Sequence, residues 1–188
     1  MTSTMTATAE TAVPTRQTWA IDPSHTQVGF AVKHLMITNV KGRFQEVTGS
    51  ISLDPSLPNP ALDVSIGAAS IATGDEKRDA HLRSADFLDA ETHPRIRFRG
   101  GRIEGNLDSK FTLHGDLEIR GVTRPATLHV VHQGRATDPW GNERAGYTAT
   151  ATINRKDFGL EWNMALEAGG VLVGDGVRIT IETELVRQ

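Results

Sequence analysis

The chain has 188 residues, 38% of them hydrophobic and 23% charged, with a net charge of -3 at pH 7. This length suits one domain with a sizeable core, and the balance excludes both a disordered polymer and a broad nucleic-acid-binding surface. With no cysteine, a disulfide framework, a thiolate nucleophile and cysteine-ligated zinc or iron–sulfur chemistry are excluded as well.

Residues 1–17 are rich in Thr and Ala, with no long apolar run and no basic start. They are expected to form a disordered tail ahead of a domain over 18–188, and they make neither a secretory signal nor a membrane span. A cytoplasmic protein without an integral membrane segment is therefore expected.

Trp19 and Ile21 precede the turn chemistry of Asp22-Pro23-Ser24, where Pro23 fixes φ. From Gln27, period two places Val28, Phe30, Val32 and His34 on one face and Gly29, Ala31 and Lys33 on the other, predicting a strand along an inner wall. Gly42 is expected to give a second bend before Phe44. Val47, Gly49, Ile51 and Leu53 share a face, and so do Leu62, Val64, Ile66 and Ala68, giving two more half-buried strands. The period then changes: Thr73 and Glu76 read as a capping box opening a short helix near residues 75–84, followed by a loop through Phe87.

Arg95 to Arg99 returns to period two, with Ile96 and Phe98 opposite three arginines. Phe111, Leu113, Leu117 and Ile119 alternate with polar residues, Gly115 taking the inward position between them. Gly121 to Pro125 reads as a turn, and Ala126, Leu128 and Val130 run back. Asp138 to Asn142 reads as another turn. Tyr147, Ala149, Ala151 and Ile153 make one apolar face, and Val177, Ile179, Ile181 and Leu185 make the last.

Seven or eight such strands with one helix predict an all-β fold, an antiparallel barrel or sandwich. A barrel is favoured because Gly49, Ala68, Gly115, Ala149 and Ala151 hold inward positions. Either they keep a cavity open or they only relieve crowding.

Catalytic and metal signatures are sparse. His129 and His132 point to opposite faces of a strand, no H-E-x-x-H pair occurs, and a site built from His25, His34 and His81 would need distant strands to converge. Asp157-Phe158-Gly159 matches a kinase tripeptide without its companion motifs, and phosphate loops, dinucleotide fingerprints and nucleophile elbows are missing. Arg95, Arg97, Arg99 and Arg102 read as the solvated face of a strand, and Arg78, Asp79, His81, Asp86 and Asp89 as capping and i,i+4 pairing around the helix.

Several segments together resemble the YceI-like family of bacterial polyisoprenoid-binding proteins. They are Trp19-Ala20-Ile21-Asp22-Pro23 with His25 and the Val28 to His34 strand; Gly42-Arg43-Phe44; Arg78 to Ser84 leading to Asp86-Phe87; Pro94, Ile96 and Phe98; Gly121 to Pro125; Asn154 to Leu160 with Trp162; and Gly174-Asp175 before Val177, Ile179 and Ile181. Together they cover nearly everything from Trp19 to Val186. Thr26, where Ser is common in the family, and Leu88, where an aromatic is common, depart from the pattern, as does the missing secretion signal that many members carry.

The resemblance implies a single lipocalin-like antiparallel β-barrel of about eight strands, with a hydrophobic tunnel for an isoprenoid chain, a quinone-like lipid or a similar amphiphile. No catalytic residue, metal or cofactor is expected, nucleic acid is not an expected partner, and a homodimer is, since family members often pair. On that reading the wall comprises Phe30, Val32, Phe44, Phe98, Leu117, Ile119, Phe158, Trp162 and Ile179. Polar contacts come from His34, His81, Arg155 and Asp157, with Arg155 and Asp157 alternatively a structural pair closing the barrel end. The competing functions are a barrel enzyme acting on an isoprenoid or polyene, with His34 or Asp157 as acid or base, and a stress-related interaction module with a vestigial tunnel.

Overall fold

The computed structural model describes residues 16–165 and 171–188. Each apolar alternation in the sequence becomes a strand: β1 (Gln17–Ile21), β2 (Gln27–His34), β3 (Thr38–Phe44), β4 (Val47–Leu53), β5 (Ala61–Gly67), β6 (Ile71–Ala72), β7 (Arg95–Gly105), β8 (Lys110–Ile119), β9 (Val122–Thr137), β10 (Glu143–Asn154) and β11 (Val173–Arg187). The helix α1 (Glu76–Arg83) lies between β6 and β7.

Eight of these strands close a ring in the order β1-β4-β5-β7-β8-β9-β10-β11, and β11 pairs back to β1. Every pairing is antiparallel, so the barrel has no free edge around this circuit. The 15-residue β11 makes closure work. Its end pairs with β1 (Leu185 opposite Ile21), while its earlier part pairs with β2 (Ile179 opposite Phe30), so β1 and β2 occupy successive stretches of one edge. Between them the Asp22 carboxylate accepts from Ser24 N at 2.9 Å and caps the one-turn helix begun by Pro23. Beyond β2 the sheet continues through β3 to β6, a flap that carries α1.

The main core gathers Val28, Ile66, Ile96, Phe98, Leu117 and Ile119 from facing strands, with Phe158 from the one-turn helix after β10. A smaller cluster of Trp19, Ala145 and Leu185, with Ile51, Leu53 and Tyr147 against it, packs the β1 end. The Arg135 guanidinium lies 5.9 Å from the centre of the Trp19 ring, within cation–π range.

Several local expectations are corrected. Gly42 is no bend; it sits inside β3 opposite Phe30. The turn after β8 is only Arg120-Gly121, both at positive φ, and Val122 to Pro125 already pair with β8. Such two-residue turns follow the right-handed strand twist, which is why a longer loop is unnecessary. Helix α1 is capped by Asp75, which accepts from Arg78 N, and not by Thr73. Ala68 ends up in a one-turn helix, 1% exposed. Strand β1 starts at Gln17, one residue ahead of the expected boundary, while residues 1–15 of the expected tail lie outside the described residues.

Candidate functional site

Closure of the barrel turns the apolar faces of all eight ring strands, and of β2 and β3, toward a common space. A cavity of about 700 Å³ results, within the range of small-molecule sites. Its wall is almost wholly aliphatic and aromatic, because period-two alternation sends the polar half of each strand outward.

Twelve of the thirteen expected site residues face this cavity: Phe30, Val32, His34, Phe44, His81, Phe98, Leu117, Ile119, Arg155, Phe158, Trp162 and Ile179. Asp157 does not. It sits exposed in the one-turn helix Arg155–Phe158, beside a groove on the outer surface of β9, β10 and β11. Within four residues the chain passes from buried Arg155 through exposed Lys156 and Asp157 to buried Phe158, so neighbours in sequence face opposite sides of the wall.

The small inward residues divide into two kinds. Ala149 and Ala151 line the cavity and leave room in it. Gly115 and Gly49 instead permit close approach: a Cβ at 115 would lie 2.7 Å from the Phe98 ring, and one at 49 would lie 2.6 Å from the Asp63 carbonyl oxygen.

Polar groups join the lining at the α1 end, where Lys33, His34, Asp75, Lys77, Arg78 and His81 contribute. Only Ala80 and Leu82 are apolar in α1, so polar bonds fasten it. The buried Asp79 carboxylate accepts from Thr73 N at 2.9 Å and from Thr73 Oγ1 at 2.5 Å, and Arg78 donates to Thr73 Oγ1 at 2.7 Å. Arg83 donates to the carbonyls of Ala69 and Ile71. The charged cluster around the helix therefore pairs outward to its neighbours rather than along the helix. His81 bonds Asp86 Oδ2 through Nε2 at 2.9 Å, and its ring meets Phe87 and Trp162 edge-on at 5.1 and 4.7 Å. Three rings thus frame the rim, fixed in direction by one carboxylate.

Arg155 holds the segment after β10 in place. Its guanidinium, 4% exposed, donates to the carbonyls of Gly174, Leu160, Trp162 and Val173, with Asp175 at 3.4 Å. Burial pushes its pKa below the ordinary value, with the Asp175 charge opposing. The structural pair is Arg155–Asp175, and Asp157 has no part in it.

The three histidines considered as a metal set do not converge. Among the described residues, Asp22, His25 and Glu184 come close enough to share an ion. Arg144 already supplies the positive charge there: its Nη1 lies 2.7 Å from Asp22 Oδ2 and 3.1 Å from Glu184 Oε2, and its Nε lies 2.9 Å from Asp138 Oδ2. Hydrogen bonds from Ser24 and Arg144 hold the Asp22 carboxyl well below the usual carboxylate range. Hydrogen bonds from Asn142, with Arg144, do the same for Asp138.

At the β1 end the cavity meets Tyr147 and Arg135, which were not among the expected site residues. Burial pushes the Tyr147 phenol pKa up, and its ring packs against Phe111 and His132. Tyr147 already marked the inward face of β10 in the sequence, and its hydroxyl on an otherwise apolar face was the available signal.

A family model described as the YceI-like domain matches residues 19–185. A UPF0312 protein of Shewanella baltica is 34% identical over 159 residues, covering 82% of this chain and 83% of its own. A UPF0312 protein of Pseudomonas putida is 36% identical over 138 residues, covering 73% and 72%. Among solved structures, the YCEI protein of Campylobacter jejuni superposes with a TM-score of 0.66 at 30% identity over 83% of this chain and 90% of its own. Burkholderia cenocepacia BcnA superposes at 0.73 with 20% identity over 87% and 98%. A polyisoprenoid binding domain from Saccharophagus degradans superposes at 0.64 with 13% identity over 90% and 98%.

Proposed function

The chain belongs to the YceI-like domain family, and from that premise we propose that its barrel binds one long apolar lipid of the isoprenoid type, carrying or sequestering it. The supporting observation is the 700 Å³ cavity itself, whose wall offers hydrocarbon contacts along its length and polar groups mainly at the α1 end. An amphiphile with an apolar chain and a polar head matches that distribution. The polyisoprenoid binding domain of Saccharophagus degradans shares the architecture, and the same ligand class suits this wall.

Each five-carbon isoprene unit moved out of water contributes roughly 3–4 kcal/mol gross, at about 0.8 kcal/mol per carbon. A few units exceed any realistic net affinity once association and ordering costs are subtracted. Affinity is therefore plentiful, and selection rests on cavity length and on the rim of Lys33, His34, Arg78 and His81. The role in this reading is non-catalytic; of the two residues considered as acid or base, His34 lines the cavity and Asp157 lies outside it.

Native mass spectrometry of gently purified protein, followed by solvent extraction and identification of the released compound, tests the reading. A stoichiometric prenyl or quinone-like lipid is the expected result. A clean apo mass with no uptake of added prenyl lipids overturns it.

A further inference from the structure

The apolar surface inside the barrel has an evident use, whereas a second apolar surface lies outside it. The β2–β3 hairpin turns on Leu35 and Met36, at φ of 52° and 61°, where Asn-Gly is the favoured pair and bulky side chains are strained. Met36 is 58% exposed, Ile37 76% and Met164 56%. Leu35 N donates to Leu172 O at 2.9 Å, and Leu172 N donates to Met164 O at 3.0 Å, so the hairpin tip and Met164 belong to one rim. His34 and Leu172 line the cavity, so the exposed side chains continue its apolar wall outward.

Charge indicates what this lip meets. From Thr26 to Gln45 the chain carries Lys33, Lys41 and Arg43 and no Asp or Glu. In the hairpin ladder Lys33 stands opposite Asn39, Lys41 opposite Ala31 and Arg43 opposite Gly29, so all three fall on one face. Among the described residues no carboxylate lies within 4 Å of any of them. A second copy of this chain on the lip would bring like charges together, whereas an anionic bilayer surface supplies the opposite charge and an apolar layer behind it.

We propose that the lip of Leu35, Met36, Ile37 and Met164 seats on a lipid bilayer bearing anionic head groups, with Lys33 and Lys41 meeting those head groups. The inference rests on the apolar-ligand reading, since docking here opens the cavity onto the phase in which such a ligand dissolves.

Flotation of the full chain with vesicles of phosphatidylcholine, alone or mixed with phosphatidylglycerol, tests it. The wild type binds the mixed vesicles more tightly than the neutral ones. Ile37→Asp weakens that binding by about tenfold or more. The double variant Leu35→Asn, Met36→Gly does the same while meeting the conformational demand of the turn, so its thermal unfolding is unchanged or raised. Lys33→Glu with Lys41→Glu abolishes the preference for phosphatidylglycerol. Absent vesicle binding by the wild type, binding unaltered in the lip variants, or a self-association that these variants abolish each overturns the proposal. Uptake of prenyl lipid from detergent micelles, measured in parallel, separates the two readings. Uptake without vesicle binding sinks the docking surface alone, and vesicle binding without uptake sinks the ligand reading on which the docking depends.

Discussion

Gly42 in β3 stands directly opposite Phe30 in β2, and a Cβ at position 42 would lie 2.4 Å from Cζ of the Phe30 ring. The glycine is therefore required by a ring and not by a turn, and the position of Phe30 in the cavity wall depends on an atom its neighbour lacks.

Gly42→Ala forces the Phe30 ring to shift, with Thr73 Cγ2 at 2.8 Å closing the other escape. Overpacking of this kind costs roughly 1–3 kcal/mol. The urea midpoint should fall by the corresponding amount, and lipid taken up per chain should fall with it, because the displaced ring enters the cavity. An unchanged midpoint with full uptake would show that the wall yields more easily than the geometry indicates.

Arg155→Lys removes a planar donor set that serves four carbonyls, and an ammonium group has neither the reach nor the fork to replace it. Taking this donor from the carbonyls of Gly174, Leu160 and Trp162, while Asn163 Nδ2 still donates to Val173, should destabilise the fold by about 3 kcal/mol or more. Chemical denaturation measures the loss, and a near-wild-type midpoint would show that water replaces the guanidinium.

Ala151 lines the cavity between Ile153 and Ala149. Ala151→Phe places a ring in the open space, where it meets few atoms, and stability should change by under about 2 kcal/mol. The bound lipid should be shorter, or its occupancy lower, in native mass spectra. Retention of the same lipid at the same occupancy would mean that the chain runs along another part of the wall.

Asp22 and Asp138 both have folded-state pKa values well below their ordinary value of 3.8. Each binds fewer protons folded than unfolded near that pH, so their contribution is fully present above about pH 4 and is lost as pH falls below it. Urea midpoints measured from pH 6 down to pH 2 should therefore decline, and Arg144→Met should flatten the decline by removing a cation both carboxylates share. A parallel slope in the variant would place the acid sensitivity elsewhere.

Much of this protein is visible from period-two alternation alone. Val28 to Val32, Phe111 to Ile119, Tyr147 to Ile153 and Val177 to Ile181 announce both their strands and the face that becomes the wall, because a strand buried on one side must alternate. That is why Phe30, Leu117, Ile119 and Ile179 all line the cavity. Small residues at inward positions favoured a barrel over a sandwich, a choice that alternation alone leaves open, and the resemblance to the YceI-like family implied the same.

Other features depend on which strands become neighbours, and local sequence carries little of that information. Gly42 and Gly115 look like bends or spare room until Phe30 and Phe98 are known to lie across from them. Arg155 and Asp157, two residues apart, look like one pair until closure buries the first against the carbonyls of Gly174 and Leu160 and leaves the second in solvent. The sequence by itself determined the strands, their inner faces and the apolar character of whatever they enclose. The tertiary structure alone decided that the ring closes through β11 onto β1, that the space inside stays open, and which polar side chains reach it. The physical reason is that alternation is a property of a few adjacent residues, whereas a cavity exists only when residues far apart in the chain stop short of touching.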